Sequence, residues 1–154
     1  MTLIKTAVAL IALVGAQALL AQTPMTHAAP GTDPVWQGLI VLDDGRTFVT
    51  DGALVIDAAL VKPSKLPERK IPGKVVVDYF NETYTDECDL RDLRRVSDRI
   101  YATPSGIALS STYVNYLGRF LPSRSTSLRM TAPGRPVLIV VNGKPAGILM
   151  PVSQ

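Results

Sequence analysis

Apolar and polar positions change rhythm several times along this chain, and each change predicts an element. Val35 to Leu42 is an apolar run that reads as a strand, and Asp44-Gly45 after it is a tight hairpin signal. Arg46 to Thr50 is the return strand, Asp51-Gly52 turns again, and Leu54-Val55-Ile56 resumes a strand. The stretch "VKPSKLPERKIPGK" holds three prolines and five basic residues and reads as an exposed loop. "KVVVDYFNETY" is compatible with either a strand or a short helix, because a short apolar run has no decisive period.

In "DECDLRDLRRVSDRI" the apolar positions Leu90, Leu93, Val96 and Ile100 fall at steps of three and four, which predicts a helix. Asp86 and Asp89 suit its positive N-terminal end, and "TPSG" stops it. "IALSSTYVNYLGRFLPS" reads as a short strand followed by a short helix, with Ser110 or Ser111 as its cap and Pro122 closing it. "TSLRMTA" alternates, with Leu128 and Met130 on one face. "RPVLIVVNGKPAGILMPV" is a hairpin about Asn142-Gly143. Residues 3–21 with 35–60, and then 107–152, therefore present one helix-and-strands pattern twice, with 61–106 between the copies. The expectation is an α+β domain of two pseudo-repeated helix-plus-antiparallel-strand units.

Residues 1–21 are apolar behind a single Lys5, with small residues near Ala16, Ala18 and Ala21. That is the layout of a cleaved secretory signal; the competing reading is an alanine-rich buried helix. Residues 22–34 carry three prolines and read as a linker into a domain over 35–154. At 154 residues the chain has room for one such domain, and a composition 47% hydrophobic and 19% charged fits an ordered one. A net charge of +3 permits an anionic partner without demanding one.

Catalytic chemistry is poorly provided for. The one histidine, His27, lies in the linker, where no nucleophile is held within reach of it. Asp86, Glu87, Asp89 and Asp92 lack the spacing of a calcium loop, and Cys88 has no companion for zinc. Neither an enzyme, a cofactor nor a metal is expected. Arg91, Arg94, Arg95 and Arg99 are read as a solvated helix face, offset by Asp92 and Asp98 at helical spacing. Asn81-Glu82-Thr83 matches a glycosylation acceptor, a pattern too short to use.

Two segments remain: "FVTDGALVIDA" and the terminal "GILMPV". Together with "IALSSTYVNYLGRFLPSRSTSLRMTAPGRPVLIVVNGKPAGILMPV" they resemble the bacterial sliding clamp family, the beta subunit of DNA polymerase III. That family ends in Met-Pro-hydrophobic, and carries an Ala-Thr-Asp-Gly-His-Arg-Leu turn and strand. The likeness covers 107–152 well and 35–58 moderately, and 61–106 not at all. It implies an apolar cleft for peptides of polymerase or repair proteins, with Thr50, Gly52, Ala53 and Leu54 on one wall. Met150, Pro151 and Val152 would form the other. It further implies a cytoplasmic protein, Lys5 and Arg119 as the basic residues available to double-stranded DNA, and homo-oligomers as an assembly. Ala53 stands where the family usually has histidine, and Ser153-Gln154 where a basic residue is common. The length suits a small clamp-like protein of phage or mobile-element type better than a complete processivity factor. The competing expectation is an exported, periplasmic or secreted protein from which residues 1–21 are removed.

Overall fold

The computed structural model describes residues 33–153. The 1–21 segment, Lys5 and His27 lie outside the described residues, as does most of the 22–34 linker. The order begins with β1 (Gly38–Val41), β2 (Thr47–Thr50), β3 (Leu54–Asp57), α1 (Ala58–Val61) and α2 (Lys74–Phe80). It continues with β4 (Asp86–Asp89), a single 3-10 turn (Leu90–Asp92), β5 (Arg94–Arg95), β6 (Ile100–Ala102) and β7 (Ala108–Ser110). It closes with α3 (Ser111–Phe120), β8 (Thr126–Met130), β9 (Val137–Val141) and β10 (Lys144–Leu149).

This is an α+β protein with two antiparallel sheets and three short helices. The larger sheet has seven strands in the order β1-β2-β3-β10-β9-β8-β4, and the smaller has three, β5-β6-β7. Strand β3 pairs with β10, so the last strand of the first meander lies against the last strand of the second. Alternation along the strands sends side chains to two cores. Val49, Leu54, Ile56, Leu128 and Ile139 pack with Tyr113 and Leu117 of α3 on one face. Phe48, Val55 and Ile148 pack with Ile71, Val76 and Tyr79 on the other. A sheet covered on both faces explains why all five residues of β9 are buried.

The turns form as their residues dictate. Asn142 (φ 52°) and Gly143 (φ 78°) both take the left-handed conformation that a two-residue hairpin between twisted strands requires. Helix α3 carries Arg119 in its last turn, favourable to its negative end, and passes through Leu121 into Pro122. Ser110 holds its N-cap position without a side-chain cap bond, and Ser111 Oγ donates instead to the Asp98 carbonyl at 2.8 Å. "KVVVDYF" resolves as helix.

The stretch from Asp86 to Ile100 departs from expectation. It is not a helix but β4, one 3-10 turn and the β5–β6 hairpin. The three- and four-residue steps do not build one buried stripe: Leu90 is buried, while Val96 is 58% exposed. Asp89 and Asp92 do cap, but reciprocally and over one turn only, with the Asp89 N–H donating to Asp92 Oδ2 at 3.0 Å. Asp86 lies opposite Met130 in the β4–β8 pairing rather than at a helix end. Arg91 therefore lies in the 3-10 turn, and Arg94, Arg95 and Arg99 along the β5–β6 hairpin. Arg95 reaches Asp98 at 3.0 Å, and Arg91 reaches Asp89 at 3.2 Å.

Candidate functional site

The turn after β2 is held from three directions. Asp51, 1% exposed, accepts on Oδ1 from the N–H of Ala53 (3.0 Å) and of Leu54 (2.9 Å). Its Oδ2 accepts from the Tyr113 hydroxyl of α3 at 2.5 Å. Gly52 takes φ 98°, a conformation that favours glycine, and its N–H donates to Thr50 Oγ1 at 3.0 Å. A buried carboxylate with three donors converts a flexible bend into a rigid shelf.

The C-terminal tail leaves β10 across this shelf. The Met150 N–H donates to the Ala53 carbonyl at 2.8 Å, and the Val152 N–H to the Ala108 carbonyl of β7 at 2.9 Å. Three residues thus span from the large sheet to the small one. The turn and tail segments singled out in the sequence are in contact, but their side chains do not form one open cleft. Thr50, Gly52, Ala53 and Leu54 are buried. Met150 is half-buried and packs against the core that contains Phe48 and Ile148.

Pro151 and Val152 face an open recess of about 360 Å³. Its other walls are Gly106 and Ile107 in the β6–β7 connection, Ala108 at the start of β7, and Pro133-Gly134 in the β8–β9 turn. No charged side chain lines it, and its size falls at the small end of ligand clefts. Sequence reasoning missed these walls. "TPSG" and "APG" each signal a turn, but nothing local says that both turns close beside the chain's last residues.

Arg119, at the end of α3, lies over the rings of Tyr116 and Phe120 at 5.3 and 5.4 Å and forms an ion pair with Asp33. A second recess, about 350 Å³, is lined by Glu82, Tyr84, Thr85, Asp86, Glu87 and Arg129. Arg129 offsets part of its acidity through Glu87 at 3.3 Å. Among the described residues no three His, Cys, Asp or Glu side chains gather as a metal site, and no helix is long and apolar enough to cross a membrane.

Burial pushes the Cys88 thiol up to about 11, helped by the acidic neighbours Asp92, Asp86, Asp89 and Glu87. Burial likewise holds the Tyr84 and Tyr116 phenols up to about 12. The unfolded chain releases these protons near 9.0 for the thiol and 10.0 for the phenols, so the folded chain binds more protons in between. Stability therefore falls as pH rises from about 9 to about 12, by at most about 1.4 kcal/mol per pH unit for each group. Urea midpoints at about pH 8 and about pH 10.5 measure this; equal midpoints would place these groups in water.

No protein-family model, curated protein or solved structure matches this chain.

Proposed function

We propose that the chain is a non-enzymatic, sliding-clamp-like docking module that holds apolar peptide segments of replication or repair proteins beside its C-terminal tail. The observation that carries this reading is the 2.8 Å bond from Met150 to Ala53, which seats the Met-Pro-Val tail on the Thr-Asp-Gly turn. An apolar recess opens next to that junction. The finer architecture on this reading is two clamp-like half-units. Each contributes a three-stranded meander, β1-β2-β3 and β8-β9-β10, and the two meet through their last strands; the strand order supports it.

On this reading the module works in the cytoplasm, retains residues 1–21, and does not need a ring. Both edges of the large sheet are blocked against strand addition. Backbone bonds from Leu39 to Arg69 and from Ile71 to Leu39 cover β1. The Glu87 and Asp89 N–H groups of β4 are taken by the carboxylates of Asp86 and Asp92. Arg119, already paired, is a weak candidate for a DNA contact.

Fluorescence anisotropy with a labelled clamp-binding peptide tests the docking site. Wild type binds saturably. Val152→Asp, which sets a carboxylate in the apolar recess, weakens binding at least about tenfold, because an unpaired charge cannot be buried there. Met150→Asp weakens it indirectly by loosening the tail. Wild-type binding that is absent, or unchanged by Val152→Asp, removes the assignment.

A further inference from the structure

The cations of this protein are unevenly neutralised. Arg46, Arg91, Arg95, Arg119, Arg129 and Arg135 each hold an acidic partner. The side chains of Lys62, Lys65, Lys70 and Lys74 are exposed and have no ion-pair partner among the described residues. With Arg69 they place five positive charges in residues 62–74 against Glu68 alone, a formal +4 within a chain whose total is +3. Such a concentration leaves the remainder of the molecule slightly acidic, so the field of the protein is directional.

This segment is also fixed in place. Ile71 is 7% exposed and inserts into the core beside Ile40 and Phe48. The Leu39 N–H donates to the Arg69 carbonyl at 2.7 Å, and the Ile71 N–H to the Leu39 carbonyl at 2.8 Å. Gly38 makes room for this: a Cβ there would come 2.3 Å from Ile71 Cδ1. Pro63, Pro67 and Pro72 limit the backbone further. The segment is a stiff strap along the β1 edge, not a free tail, so its cations are presented at little entropic cost.

We propose that the 62–74 strap is a nucleic-acid contact surface that binds the phosphate backbone of a duplex without reading its bases. Cations strung along an irregular, pinned segment match a linear polyanion, and lysines act as point charges that accept any phosphate geometry. A lipid surface is the weaker fit, because Leu66 is the one large apolar side chain of the strap that is exposed, at 48%. The surface is separate from the tail recess, so the peptide site and this one stand or fall independently.

Anisotropy of a labelled DNA duplex of about 20 base pairs, titrated with the full chain at several salt concentrations, tests the proposal. Four phosphate contacts, one for each of Lys62, Lys65, Lys70 and Lys74, predict a slope of about −4 in log affinity against log salt. The variant Lys62→Gln/Lys65→Gln/Lys70→Gln should bring the slope to about −1 and weaken binding more than tenfold at about 50 mM salt. Arg94→Gln/Arg99→Gln, on the β5–β6 hairpin, should change binding less than twofold. No duplex binding by wild type at about 50 mM salt overturns the proposal, and needs no variant to fold. An equal effect of the hairpin variant overturns it too. So does tighter association with phosphatidylserine vesicles than with DNA.

Discussion

Asp51→Ala is expected to destabilise the protein by about 3–5 kcal/mol. Removing the carboxylate orphans three donors in a buried setting: two backbone N–H groups and the Tyr113 hydroxyl. Each orphaned donor costs about 1–3 kcal/mol, and relief of the desolvated carboxylate offsets part of the sum. Tyr113→Phe removes one donor and leaves the turn intact, so about 1.5–3 kcal/mol is expected. Asp51→Asn keeps an acceptor for Ala53 and Leu54 and should fall between. Urea unfolding of the two singles and of Asp51→Asn/Tyr113→Phe closes a cycle, with a coupling of about 1–2 kcal/mol expected between residues in contact. A loss below about 1 kcal/mol for Asp51→Ala would mean that the turn is not docked on α3 in solution.

That bond also marks where local sequence runs out. Asp51-Gly52, Asp44-Gly45 and Asn142-Gly143 announce turns because the backbone there needs conformations few residues tolerate, and each turn forms. The alternation of Leu128 and Met130 is equally local, and both are buried in β8. What a chain segment packs against is not local. Asp51 looked like an ordinary turn residue; its burial comes from a tyrosine 62 positions away. Ile71 sat in a proline- and lysine-rich loop and proved to be a core residue, because Gly38 leaves space for it. The 86–100 stretch misled for a related reason. Its acidic residues serve a strand edge and one 3-10 turn, two contexts in which carboxylates satisfy N–H groups as they do at a helix start. In the candidate site, the tail and the turn were legible as segments. The recess was not, since its walls come from two connections and the tail, which meet only after both sheets form.

Gly147→Ala is expected to be nearly as damaging as Asp51→Ala, at about 3–5 kcal/mol or loss of soluble protein, through the seam between the meanders. Gly147 stands opposite Ile56 where β10 pairs with β3, just after a register shift in the β9–β10 ladder. A Cβ there would lie 2.2 Å from the Val55 carbonyl oxygen and 3.2 Å from the Ile56 Cα. Both neighbours are backbone, so no side chain can rotate away and the strands themselves must part. Gly118→Ala supplies the opposite sign. Its Cβ would meet nothing within 4 Å, and it sits within α3, so relieving a helical glycine should stabilise by about 0.5–1 kcal/mol. Urea midpoints of the two variants should therefore move in opposite directions from wild type. A neutral Gly147→Ala would show that β3 and β10 are not paired in solution. The tail would then have no shelf to rest on, since Leu149 opposite Leu54 is the rung that carries Met150 to the Ala53 carbonyl. The seam thus bears on folding and docking together: the contact that joins the meanders is the one that lays the chain's end across the Thr-Asp-Gly turn.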